Sequence, residues 1–115
     1  MILIIGGAYQ GKADFAKTLA AEEHLLLNVH ERIRADLAEG KSRDEAETAL
    51  WGQIDGESVL TADEVGCGVV PVDPSERAWR EEVGRLCCAL AQKAGRVERI
   101  FCGLSMVLKG EEGWK

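Results

Sequence analysis

The stretch Met1-Ile2-Leu3-Ile4-Ile5-Gly6-Gly7-Ala8-Tyr9-Gln10-Gly11-Lys12-Ala13 decides how the rest of this sequence is read. Its apolar opening, Met1 to Ile5, predicts a strand covered on both faces, because neither side of it carries a polar residue. Gly6 to Gly11 break the run. From Lys12 to about Glu22, Phe15 and Leu19 fall four apart with Ala16 and Ala20 beside them, which lays one apolar stripe along a helix. The segment Gly6 to Ala13 matches G-x-x-x-x-G-K-[ST] except at its last position. Such a loop works because its glycines let consecutive backbone N–H groups point inward around a phosphate, and the lysine adds a point charge. The plain alternative is a glycine-rich turn with an exposed lysine. Placement between a strand and an amphipathic helix favours phosphate binding. The candidate nucleotide-binding residues are therefore Gly6, Gly7, Ala8, Tyr9, Gln10, Gly11, Lys12 and Ala13, with Lys12 the candidate catalytic cation.

Working outward, Leu25 to Val29 reads as a second strand. Ile33 and Leu37 then share a helical face, Arg32 and Asp36 stand at pairing distance, and Gly40 suits the left-handed position after a helix end. Ser42 with Glu45 predicts a capping box, followed by an apolar face of Ala46, Leu50 and Ile54. Asp55-Gly56 signals a turn, and Ser58 to Val65 holds a third strand centred on Val59 and Leu60. After a loop marked by Gly66, Gly68, Pro71 and Pro74, the run Asp73, Pro74 and Glu76 gives a capping acid, a proline where no N–H is needed, and a carboxylate at N3. Trp79, Val83, Leu86 and Leu90 run down that helix, Gly95 ends it, Val97 to Cys102 is a fourth strand, and Ser105 to Leu108 adds an antiparallel edge. Alternating strands and helices predict an α/β fold, a mainly parallel sheet flanked by helices, as one domain over residues 1–115.

Composition narrows the partners. The 115 residues carry a net charge of -6, and no Lys/Arg run overrides it, which argues against nucleic acid. No apolar stretch approaches the roughly 20 residues that cross a bilayer, and the N-terminus lacks the basic region and cleavage site of a signal peptide. A cytoplasmic protein is expected. Cys67, Cys87, Cys88 and Cys102 contain no C-x-x-C pair, so buried reduced thiols are expected before a metal site.

A second motif, Asp63-Glu64-Val65-Gly66-Cys67-Gly68-Val69-Val70-Pro71, resembles the N-E-V-G-x-G-x-V-P signature of the adenosylcobinamide kinase / adenosylcobinamide-phosphate guanylyltransferase family, which opens with M-I-L-x-x-G-G-A-x-x-G-K-S. The resemblance is good over residues 1–20 and 58–109 and weak between. It implies a RecA-like P-loop NTPase-like fold, here reduced by one βα unit. It also implies a cytosolic role in cobalamin biosynthesis and corrinoid salvage, GTP or ATP as phosphate donor, a corrinoid substrate and a trimer. By the same resemblance Glu64, Gly66, Gly68 and Pro71 form a substrate loop, and Glu64 is a second candidate catalytic residue.

The chain departs from the family where magnesium should bind. Ala13 stands for the P-loop Ser/Thr and offers no oxygen, and Asn28 stands for the acid ending the second strand. Tyr9 and Gln10 replace an Arg-Ser pair. Too few residues separate Leu19 from Leu25 for the unit bearing the guanylylated histidine, and His24 and His30 are most simply solvated or locally hydrogen-bonded imidazoles. Trp51 and Trp79 read as packing residues. The expectation is a nucleotide-binding relative without metal ligands or guanylyl transfer. Two alternatives stay open: a minimal kinase in which Glu64 and Asn28 hold Mg²⁺ through water, and an oligomeric interaction module with a vestigial P-loop.

Overall fold

The structure, a computed structural model, describes residues 1–64 and 72–110. Gly66, Gly68, Pro71, Cys67 and Trp114 lie outside the described residues. Strand β1 spans Ile2–Gly6, β2 Leu25–Leu26, β3 Val59–Asp63, β4 Arg96–Phe101 and β5 Leu104–Lys109. Helix α1 spans Lys12–Lys17, α2 Val29–Ala38, α3 Arg43–Trp51 and α4 Pro74–Lys93. The five strands form one sheet in the order β2-β3-β1-β4-β5. All neighbours are parallel except β5, which returns antiparallel to β4 and makes the expected edge.

The sheet is covered on both faces, which is why β1 reads as continuously apolar. On one face Leu3, Leu60, Ala62 and Val97 pack with Val29 and Ile33 of α2, Ala46 and Leu50 of α3, and Val83, Leu86 and Leu90 of α4. On the other, Ile4, Val59 and Ile100 pack with Ala16 of α1. Burying each of these aliphatic side chains contributes about 1.5–3 kcal/mol relative to exposure. The helix starts behave as their residues dictate. The Ser42 hydroxyl accepts from the Glu45 N–H while the Glu45 carboxylate accepts from the Ser42 N–H. Asp73 accepts from the Ser75 N–H ahead of Pro74, and Gly40 takes φ 90°.

Several expectations need correction. Helix α1 stops at Lys17 rather than near Glu22, because the Thr18 hydroxyl turns back to the Phe15 carbonyl at 2.6 Å and competes with the helical ladder. Strand β2 covers Leu25–Leu26 rather than reaching Val29. Beyond it the Asn28 N–H goes to the Thr61 hydroxyl (2.8 Å) instead of a strand carbonyl, Asn28 turns left-handed at φ 58°, and Val29 opens α2. Arg32 donates to Gln53 and Asp36 meets Lys41, so the two do not pair with each other. Helix α4 ends on extended Ala94, and the Gly95 N–H donates to the Met1 carbonyl. Cys88 and Cys102 are exposed rather than buried. Cys87 is free and half-buried, and burial pushes its thiol up to about 11, which keeps it protonated.

Candidate functional site

Adjacent strands β1 and β3 send their chains to opposite faces of the sheet, β1 into α1 and β3 toward α4. Divergence of this kind opens a crevice at the carboxyl ends of the strands, the usual place for a ligand in an open α/β sheet. A cleft of about 360 Å³ lies there, lined by Ala8 to Asp14, Asn28, His30, Glu31 and Asp63.

The strand ends are held close. Gly6 sits so near β4 that a Cβ there would lie 2.5 Å from the Ile100 carbonyl oxygen, and its own carbonyl accepts the Glu64 N–H at 2.9 Å. Past it the loop turns through Tyr9 at φ 60° and Gly11 at φ 90°. Among the described residues, no backbone hydrogen bond leaves the N–H groups of Ala8, Tyr9, Gly11, Lys12 and Ala13, so they remain available to an anion. Gln10 instead points its amide oxygen at the Cys102 N–H and ties the loop to the turn between β4 and β5.

Lys12 is the centre of the site. Its side chain is only 6% exposed, and its ammonium donates to the Gly7 carbonyl at 2.6 Å and stands 2.7 Å from Asp63 Oδ1. The other oxygen of Asp63, Oδ2, lies 3.2 Å from His30 Nε2, while the Asp63 backbone N–H donates to His30 Nδ1 at 3.0 Å. Nδ1 is therefore an acceptor, and the proton of the neutral ring sits on Nε2 facing the carboxylate. Burial lowers the His30 pKa and outweighs the opposing pull of Asp63 and Glu31, so the imidazole is neutral near pH 7. Behind it, the Trp79 indole donates to the His30 carbonyl at 2.8 Å, and the Arg34 guanidinium lies 3.7 Å from the centre of the Trp79 ring.

The structure thus brings Ala8 to Ala13 and Lys12 together with Asn28, and it leaves Glu64 elsewhere. Side chains alternate along an extended segment, so Asp63 faces Lys12 while Glu64 pairs with Arg99 at 3.0 Å and does not line the cleft. Two residues of the site were missed. In the sequence Asp63 stands only as the first letter of a motif, although an acid closing the buried run Val59-Leu60-Thr61-Ala62 beside the loop strand is a signal for it. His30 is buried, not solvated, and beside a 3.7 Å approach of Nε2 to neighbouring Glu31 its hydrogen-bond partner lies 33 positions away, which no sequence pattern announces. His24 is remote from both, at 3.2 Å from Glu57 below the start of β3.

The positions expected to hold magnesium supply it with few ligands, although the Asp14 and Glu31 carboxylates also line the cleft. Ala13 brings no oxygen, Asn28 brings no charge, and both oxygens of the Asp63 carboxylate are engaged by Lys12 and His30. Among the described residues, no group of three or more His, Cys, Asp and Glu side chains could hold a metal ion. No helix among them is long and apolar enough to cross a membrane.

Two comparisons with known proteins bear on this arrangement. The sequence model of the cobinamide kinase / cobinamide phosphate guanyltransferase (CobU) family matches residues 23–108. It takes in the middle of the chain, where the resemblance by motif is weak, and it starts beyond the Gly6 to Ala13 loop, so loop and match are separate observations. Over 67 residues the chain is 39% identical to the bifunctional adenosylcobalamin biosynthesis protein CobP of Pseudomonas aeruginosa. That alignment covers 58% of this chain and 39% of the relative, so the chain spans about two fifths of the relative's length.

Proposed function

The chain belongs to the cobinamide kinase / cobinamide phosphate guanyltransferase family, and from that premise we propose that it binds a nucleoside triphosphate over Lys12 and carries out no guanylyl transfer. The observation that carries this reading is the buried ammonium of Lys12 at the floor of the cleft, beneath a loop most of whose N–H groups lack backbone partners. These groups recognise phosphate without a metal, in keeping with the missing oxygen at Ala13. Guanylyl transfer by way of a guanylyl-histidine, as the family implies, needs an imidazole nitrogen free to attack phosphorus. Both nitrogens of His30 are turned to Asp63, and His24 stands with Glu57 away from the cleft.

GTP and ATP are the ligands to try first, with cobinamide as the second ligand that the family implies. Thermal unfolding of the whole chain is measured with each nucleotide, in EDTA and in Mg²⁺. A ligand at about 100 times its Kd adds roughly 2.7 kcal/mol of stability. The expected result is an upward shift with a triphosphate that survives EDTA and disappears in Lys12→Ala. No shift at millimolar nucleotide in either condition refutes the proposal.

A second feature favours self-association. Phe101, Leu104, Met106 and Leu108 are exposed, with Leu104 at 72%, and the alternating Leu104 and Met106 share one face of β5, the edge strand among the described residues. Only one charged residue, Lys109, lies in that strand, and its ammonium is taken up by the Ala91 and Gln92 carbonyls. An apolar edge with so little charge is suited to a second copy of itself, which buries the strip and completes the strand's hydrogen bonds. Sedimentation equilibrium is expected to show an oligomer that Leu104→Ser with Met106→Ser dissociates. A monomeric parent chain removes this reading.

A further inference from the structure

Resting on the nucleotide reading above, we propose that Asp63 is a built-in counter-ion which a phosphate must displace from Lys12, so that the carboxylate limits affinity instead of supplying it. Lys12 is the one cation among the described residues lining the cleft, whereas Asp14, Glu31 and Asp63 bring three carboxylates to the same lining. An incoming polyphosphate therefore meets an excess of negative charge, and the ammonium it needs is already held at 2.7 Å by Asp63 Oδ1 and at 2.6 Å by the Gly7 carbonyl.

The Asp63 carboxylate is held in that position by more than its attraction to Lys12. His30 grips the residue twice, accepting its backbone N–H and facing Oδ2 with Nε2. The Trp79 indole holds the His30 main chain in turn. A carboxylate with freedom to rotate would swing aside when an anion arrived; this one is preorganised against doing so. The pair is also shielded, since the Lys12 side chain is almost wholly buried and the carboxylate is mostly so. Shielding strengthens the contact that phosphate has to replace. Asp63 remains about a quarter exposed toward the cleft, so exchange of one anion for the other has a route.

The competing roles for Asp63 predict opposite outcomes. A carboxylate that held the cation of a metal–nucleotide complex loses affinity when neutralised, a purely structural one changes stability alone, and a competing counter-ion gains affinity. The test is isothermal titration of the full chain and of Asp63→Asn with pyrophosphate and with GTP, in EDTA and in Mg²⁺, with Tm recorded for each protein. We expect Asp63→Asn to bind pyrophosphate and GTP roughly five- to tenfold more tightly in EDTA, and Lys12→Ala added to it to abolish the gain. Unchanged or weaker binding by a folded Asp63→Asn protein overturns the counter-ion role while leaving the nucleotide reading intact. Binding by neither protein in either buffer refutes both. Should Asp63→Asn fail to fold, Asp63→Ser removes the same charge and is judged by the same criterion.

Discussion

Trp79 of α4 donates its indole N–H to the main-chain carbonyl of His30, 2.8 Å away, and so joins the longest helix of the fold to the first turn of α2, from which the cleft is built. The same ring is the platform for Arg34, whose guanidinium also reaches both oxygens of Glu76 at 2.8 and 3.3 Å. Trp79 therefore does more than fill space, as its sequence position alone suggested.

Trp79→Phe keeps most of the packing and removes the donor. It removes the indole bond to the His30 carbonyl, which keeps its place in the helical ladder of α2, and weakens the shelf under Arg34. The expected loss is about 1–3 kcal/mol, read from urea unfolding. A loss no greater than that of Trp51→Phe, for which no such hydrogen bond exists among the described residues, contradicts the bracing role.

The lowered pKa of His30 sets a pH dependence. A folded state that resists protonating an imidazole binds fewer protons than the unfolded chain once pH falls below the ordinary histidine range, so stability declines as pH drops from near 6.5 through the lower folded value. Unfolding free energy measured from pH 7.5 to 5 is expected to show this decline, with a shallower slope in His30→Gln. Equal slopes in the two proteins refute the assignment.

Gly6 is needed for its missing side chain and not for its conformation. A methyl group there meets the Ile100 carbonyl oxygen at 2.5 Å, and both belong to paired strands that have little room to move apart. Gly6→Ala is expected to destabilise by about 1–3 kcal/mol, visible as a fall in Tm, whereas Gly56→Ala, which meets nothing within 4 Å, leaves Tm nearly unchanged.

Arg96 and Glu98 form a buried ion pair on β4, with Arg96 Nε 3.0 Å from Glu98 Oε2 and neither Glu98 oxygen in a hydrogen bond among the described residues. Glu98→Leu alone takes the carboxylate from beside the buried Arg96 guanidinium and is expected to cost about 3 kcal/mol. Arg96→Met combined with Glu98→Leu is expected to recover most of that loss. A double-mutant cycle by chemical denaturation measures the coupling, and additive effects mean that the pair contributes nothing jointly.

Much was legible in the chain because its signals are local. The apolar run before Gly6, the Ser42 and Glu45 capping box and the Asp73-Pro74 helix start each act through residues a few positions apart. They reappear as β1, α3 and α4. Element ends were harder. Strand β2 is cut short by a bond from Asn28 to Thr61, and α1 by a hydroxyl folding back on Phe15, contacts that compete with regular structure without changing the apolar pattern.

The sequence by itself determined the βα order, the glycine loop carrying Lys12, the family resemblance and the loss of oxygen at Ala13, since all of these are properties of residue identity and short spacing. Only the tertiary structure decided that Asp63 rather than Glu64 faces Lys12, that His30 clamps Asp63, and that Glu64 turns away to Arg99. The reason is physical. Which of two neighbouring acids reaches the cleft depends on the pairing register of β3 against β1, and that register is chosen by the packing of the whole sheet.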